Sequence, residues 1–312
     1  MDTDDGGRHD VVVGVDGSEL ALHAVGWAAT EAQLRRLPLR IVHAAPQPAG
    51  PGGAVPRSAP EILARAFTVA RRAASDVVVS TTRTAQDPAA ALLDAAAGAA
   101  VLVVGMGGAT GEPLVGSVAL DVSGRAPCPV VVVRGGPVPP RGPVLVGVDT
   151  FGEGGLRRDD AALSVAFADA RRHGGRVAVL HARYVTDPDR TPGDEQAADV
   201  AVRDRLRTEL GAWSTRFPEV PVEVSVVHDN PARALLAAAE GCRLVVLATR
   251  GDGAYTRDLF GSTSREVLRR SPVTVLVVNP DSVGTGTDRD EPPPAGARAT
   301  QLDHPHDHSL LF

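Results

Sequence analysis

The chain contains no lysine: all 32 of its Lys and Arg residues are arginine. That absence excludes a Walker-type lysine on phosphates, a Schiff base and a lysine nucleophile. Any phosphate recognition then rests on backbone N–H groups, hydroxyls, arginine or a metal. Cysteine is almost missing too. Cys128 and Cys242 fall one in each half, beside different predicted elements, which argues against a disulfide framework and for a reducing cytoplasm. No apolar run approaches the roughly 20 residues of a membrane span, so no membrane association is expected. The first ten residues are acidic and lack the basic-then-apolar layout of a secretory signal. A net charge of −6 with no basic tract argues against nucleic acid as a partner. What is present, 312 residues with 43% apolar content, predicts a globular chain of about two domains.

The second half repeats the first. Val11-Val12-Val13-Gly14-Val15-Asp16 returns as Val144-Leu145-Val146-Gly147-Val148-Asp149. Ile41-Val42-His43-Ala44 returns as Val179-Leu180-His181-Ala182, and Asp87-Pro88-Ala89 as Asn230-Pro231-Ala232. Gly116-Ser117 returns as Gly261-Ser262, and the valine run at 130–133 as Val275-Leu276-Val277-Val278. Landmarks in the same order mark one unit used twice, each copy long enough to be a domain. The spacing between copies widens along the chain. The second copy has therefore gained residues just after its Asp, in its middle and in its glycine loop, so two equivalent ligand sites are not expected.

Within the first copy, apolar runs predict strands at 10–15, 39–44, 76–81, 101–104 and 129–134, alternating with helices from Glu19, Pro60, Pro88 and Ser117. The second copy predicts strands at 144–148, 176–182, 222–227, 244–248 and 273–278. Its helices are expected at 158–173, 195–213, 231–240 and 262–270. Continuous rather than alternating apolar runs indicate strands covered on both faces, as in a parallel sheet with crossover helices. The segment 135–143, rich in Pro and Gly, reads as a stiff linker, and the Gly/Pro/Asp-rich segment from Asn279 onward as a disordered tail. His304, His306 and His308 in that tail read as solvated rather than as a metal site. The Arg pairs 35–36, 71–72, 157–158, 171–172 and 269–270 read as solvated helix faces.

Two features can carry chemistry. Asp16 and Asp149 end the first strand of each copy, where a carboxylate either accepts a bond from a ligand's base or ribose or caps the next helix. After the fourth strand comes a glycine loop, Gly105 to Gly116-Ser117 in one copy and Ala248 to Gly261-Ser262-Thr263-Ser264 in the other. Glycines let backbone N–H groups approach phosphate oxygens, and a helix N-terminus adds partial positive charge. The serines either donate hydroxyls to a ligand or simply cap the helix. Glu112, Asp252 and Asp258 are the acids within these loops, and they form no evident hydrolytic base and metal cage.

Together these residues resemble the universal stress protein family in a tandem two-domain form. The markers are the Val-Gly-Val-Asp strand end, the His-Ala strand end, the Asp/Asn-Pro-Ala helix start, and a glycine loop running into Gly-Ser and a valine strand. The family's nucleotide pattern is Gly-x2-Gly-x9-Gly-(Ser/Thr). Gly251-x9-Gly261-Ser262 matches its second part, with Ala248 in place of the first glycine. Gly105-x2-Gly108 matches its first part, but seven residues separate Gly108 from Gly116.

The resemblance implies an α/β fold of two tandem domains, 10–134 and 144–280, joined by 135–143 and followed by the tail 281–312. Each is a five-stranded parallel sheet of order 3-2-1-4-5 with helices on both faces. It implies binding of ATP or another adenine nucleotide, with or without magnesium, in the crevice between strands one and four. The implied contacts are Asp16, Val42, Gly105, Gly108, Gly116 and Ser117 in one half. In the other they are Asp149, Leu180, Gly251, Gly261, Ser262, Thr263 and Ser264. The halves are expected to pair through their last strands, leaving a homodimer between chains and an unknown protein partner open. The expected role is a cytoplasmic stress response by binding, not turnover. A nucleotide-independent interaction module is the alternative. An ATP-hydrolysing or adenylate-transferring enzyme ranks behind it, because no His-x-Gly-His or Ser-Gly-Gly-x-Asp-Ser signature occurs.

Overall fold

Valine runs without polar alternation need cover on both faces. A computed structural model, describing residues 9–45, 58–106, 116–136, 139–149, 159–183, 192–249 and 261–279, shows how the chain provides it. The first repeat runs β1 (Asp10–Gly14), α1 (Glu19–Arg35), β2 (Leu39–Ala44), α2 (Ala59–Ala73), β3 (Val79–Thr84), α3 (Pro88–Ala96), β4 (Ala99–Gly105), α4 (Ser117–Arg125) and β5 (Val130–Val133). The second runs β6 (Val144–Gly147), α5 (Asp160–His173), β7 (Val177–Arg183), α6 (Pro192–Glu209), α7 (Gly211–Arg216), β8 (Val222–His228), α8 (Pro231–Ala238), β9 (Leu244–Ala248), α9 (Ser262–Arg270) and β10 (Val275–Val278).

These strands form one ten-stranded sheet in the order β3-β2-β1-β4-β5-β10-β9-β6-β7-β8. Read from its own first strand, each half has the order 3-2-1-4-5, and all pairs within a half are parallel. The halves join through β5 and β10, which run antiparallel with Val131 opposite Leu276. The last strands thus pair within the chain.

Two apolar layers lie on the two faces, and each spans both halves. One packs α1, α2, α5, α6 and α7 on the sheet and includes Val131 and Val133 with Leu276 and Val278. The other packs α3, α4, α8 and α9 and includes Val130 and Val132 with Val275 and Val277. Alternate residues of the joining strands serve opposite faces, which is why these strands read as unbroken valine runs.

The repeated Asp/Asn-Pro-Ala motif is a helix start. Asp87 accepts bonds from the Ala89 and Ala90 N–H groups at 3.0 and 3.2 Å, and Asn230 accepts from Ala232 and Arg233 at 3.0 and 3.2 Å. The proline occupies the first helical position, where no donor is needed.

Two expected elements are corrected. The third strand lies at Val79–Thr84 rather than 76–81. It is an edge strand with a single neighbour, so Ser80, Thr81, Thr82 and Arg83 stand exposed and the apolar signal of Val77 and Val78 precedes it. The helix expected over 195–213 is two helices, α6 and α7, parted at buried Leu210 just ahead of Gly211. The break turns Trp213 onto Phe167 (ring centroids 5.5 Å apart) and next to Phe217 at 6.3 Å.

Candidate functional site

The site begins where β1 stops. Beyond Gly14, the Val15 N–H still bonds to the Val42 carbonyl at 2.9 Å. The chain then turns away through Asp16 and Gly17, whose φ of +87° lies in the left-handed region that glycine adopts without strain. Asp16 Oδ1 accepts the Ser18 N–H at 2.9 Å, and Ser18 in turn caps α1 by accepting the Ala21 N–H at 3.1 Å. The carboxylate is thereby tethered by one oxygen at the mouth of the crevice.

Across the crevice, β4 ends at Gly105 and α4 begins at Ser117. The Gly116 N–H bonds to the Met106 carbonyl at 2.9 Å, closing the base of the glycine loop. Gly116 is the N-cap residue of α4, and among the described residues no side chain caps that helix. Ser117 is the first helical residue, exposed, so it does not act as the cap. Among the described residues the first-turn N–H groups of α4 have no side-chain acceptor, and they face the crevice with the positive end of the helix dipole.

Together Gly14, Asp16, Val42, Gly105, Ser117 and neighbouring residues line a cavity of about 260 Å³. Its floor is apolar, from Val42, Leu92 and Val104, and Asp16 is the charged side chain among its described lining residues. The cavity opens between β1 and β4, where the chain connections diverge to opposite faces of the sheet. Of the first-half residues singled out from the sequence, Asp16, Val42, Gly105, Gly116 and Ser117 converge here. Gly108 and Gly251 lie outside the described residues.

The second half places Asp149 after β6, Leu180 in β7, and Gly261, Ser262, Thr263 and Ser264 at the start of α9. Gly261 is again an N-cap residue without a side-chain bond, and Ser264 Oγ donates to the Ala248 carbonyl at 3.5 Å. The segment after Asp149 is longer in sequence than its counterpart. Here the Asp149 N–H bonds to Oδ2 of buried Asp159, the residue before α5, at 3.0 Å.

Two structural features were not assigned a role from the sequence. His43 and His181 are repeat landmarks and part of the His-Ala marker, with no role of their own assigned from the sequence. Each is buried, with Nδ1 set against the carbonyl that precedes the acid: 2.8 Å from Val15 O and 3.0 Å from Val148 O. Their recurrence in register was the available signal. The second feature is a polar cluster between the halves, formed by Glu31 and Arg35 of α1, Asp169, Arg172 and His173 of α5, and Arg243 before β9. Glu31, Asp169 and His173 hold their ligand atoms within 4.8 Å of one another. Arg35 already contacts Glu31 at 2.7 Å and Arg243 grips both Asp169 oxygens at 3.1 Å, so the cluster is an ion-pair network rather than a metal centre. It also corrects the reading of Arg35 and Arg172 as solvated, since their side chains are 16% and 20% exposed. Among the described residues, no helix is long and apolar enough to cross a membrane.

Comparison with known proteins agrees with this geometry. The family model "Universal stress protein family" matches residues 7–134 and again 140–279. A universal stress protein of Mycobacterium tuberculosis is 33% identical over 296 residues, covering 86% of this chain and 97% of the relative. A second from that species is 34% identical over 287 residues, covering 85% and 95%. The fold resembles the crystal structure of a universal stress protein from Archaeoglobus fulgidus, with a TM-score of 0.63 at 20% identity over 88% of this chain and 97% of that one. The chain belongs to the universal stress protein family, with two copies of the family unit in tandem.

Proposed function

We propose that this protein binds an adenine nucleotide, ATP foremost and with or without magnesium, and serves a stress response by binding rather than turnover. The observation that carries the reading is the cavity between β1 and β4, with the Asp16 carboxylate on one rim and the α4 N-terminus on the other. A carboxylate suits a ribose hydroxyl, the apolar floor suits a purine face, and a helix N-terminus suits phosphate. Asp16, Val42, Gly105, Gly108, Gly116 and Ser117 are assigned to the first site. Asp149, Leu180, Gly251, Gly261, Ser262, Thr263 and Ser264 are assigned to the second, within the repeats 10–134 and 144–280. The longer segment between Asp149 and α5 than between Asp16 and α1 favours unequal sites. The protein works in the cytoplasm, and its protein partner is unidentified.

Isothermal titration of the full chain with ATP, ADP and AMP, with and without magnesium, tests this. Micromolar binding at one dominant site, lost in Asp16→Ala and retained in Asp149→Ala, is the expected outcome. Two equal sites would remove the inequality of the halves. No heat with any adenine nucleotide would leave a nucleotide-independent interaction module, and steady release of ADP would make the protein an ATPase.

A further inference from the structure

The bond between His43 and Val15 lies beneath the candidate site rather than in it. Val42 and Ala44 of β2 line the cavity, whereas His43, between them, points to the other face of the strand. There its ring is buried and Nδ1 stands 2.8 Å from the Val15 carbonyl oxygen. A carbonyl only accepts, so this contact requires the proton on Nδ1. The backbone ladder has just finished: β1 pairs with β2 as far as Gly14 opposite Val42, and the Val15 N–H bonds to the Val42 carbonyl. The imidazole takes the carbonyl of the same residue, so both polar groups of Val15 are tied to β2. The peptide it holds is the one that leads into Asp16, whose Oδ1 is tied to the Ser18 N–H at 2.9 Å.

The second half repeats this arrangement where other details diverge. His181 Nδ1 is 3.0 Å from the Val148 carbonyl, and the Val148 N–H bonds to the Leu180 carbonyl at 3.0 Å. The segments that follow differ in length, with two residues between Asp16 and α1 and ten between Asp149 and α5. The part common to both is therefore the hold on the peptide before the acid, not the length of chain after it.

We infer that His43 and His181 are positioning residues of the two crevices, each using an Nδ1–H bond to fix the peptide that aims the neighbouring carboxylate, Asp16 or Asp149, at the ligand. This deepens the nucleotide reading and rests on it for the identity of the ligand. The clamp itself is a statement about the ligand-free protein.

Two variants of the full chain test it. Asparagine places its amide nitrogen close to the position of Nδ1, whereas leucine fills similar space without a donor. His43→Leu is expected to weaken ATP binding about tenfold, the loss that accompanies an unmet buried hydrogen bond of about 1.4 kcal/mol. His43→Asn is expected to bind within about threefold of the parent chain. In ¹⁵N spectra of the ligand-free parent, the His43 ring is expected to carry its proton on Nδ1, and the Asp16 and Gly17 amide signals move in His43→Leu and return in His43→Asn. Equal binding by the leucine and asparagine variants, or a proton on Nε2 alone, overturns the proposal. Should the parent chain bind no adenine nucleotide, the ligand reading falls and the spectra still decide. Amide signals restored by asparagine support the clamp, and signals unmoved by leucine refute it.

Discussion

At the scale of single residues, the glycines at the crevice carry different duties that sequence alone merges. Gly105 stands in the motif expected to approach a phosphate, yet its missing side chain is explained by α1. A Cβ there would lie 2.9 Å from the backbone carbon and oxygen of Leu20 and 3.0 Å from the Ala21 nitrogen. Backbone cannot yield as a side-chain tip does, so Gly105→Ala must push α1 off the sheet. Overpacking of this kind costs about 1–3 kcal/mol, and Ala21 also lines the cavity, so nucleotide affinity should fall with stability. Gly98→Ala is the control, because nothing lies within 4 Å of the added methyl. Urea unfolding followed by circular dichroism should show a lower midpoint for the first variant and little change for the second. Equal midpoints would mean that α1 accommodates the methyl freely. The position was legible in the sequence, but its cause was not, because a close approach to a distant helix leaves no local mark.

At the scale of elements, legibility followed how closely an apolar run coincides with the paired stretch. β9 and β2 lie at their expected bounds because in each the run and the pairing coincide. β3 was misplaced because Val77 and Val78 precede a paired stretch of exposed threonines, whereas β8, the other edge strand, starts at its expected Val222. The helix starts were legible through their caps, and their contribution can be measured. Asp87→Ala and Asn230→Ala each remove an acceptor from two N–H groups and should cost about 1 kcal/mol. A shift in urea midpoint for both, with binding retained in Asn230→Ala, is the expected result. An unchanged midpoint would show that water serves these N–H groups equally well. The boundary between α6 and α7 was not legible, since the pull on Trp213 comes from Phe167 and Phe217, outside the segment.

At the scale of the whole molecule, the two repeats are bonded into one body by more than the β5–β10 pair. Glu31 is 1% exposed and faces groups from the other half: His173 Nε2 at 3.1 Å, Arg172 at 3.4 Å and Arg243 at 3.7 Å. Arg35, four residues on, is the one partner near Glu31 in the sequence, and it does not announce those from the other repeat. Burial acts to raise the Glu31 carboxyl, but Arg35, the bond with His173 and the Arg172 charge outweigh it and hold the group well below the usual carboxylate range. A carboxyl lowered in the folded state stabilises fully above its unfolded value of about 4.3. That contribution fades as pH drops from there toward the native value. Glu31→Gln removes the charge shared by Arg35, Arg172 and Arg243, leaves Asp169 to face Arg172 and Arg243, and should destabilise the chain by about 3–5 kcal/mol at pH 7. The gap between parent and variant should narrow as pH falls below about 4, where the unfolded chain takes up a proton at Glu31 that the folded parent still refuses. Because both apolar layers also cross the junction, heat should unfold the parent in a single transition. Calorimetry across this pH range separates the alternatives. Two resolved transitions would make the halves independent, and a gap constant with pH would show that the Glu31 charge has no part in joining them.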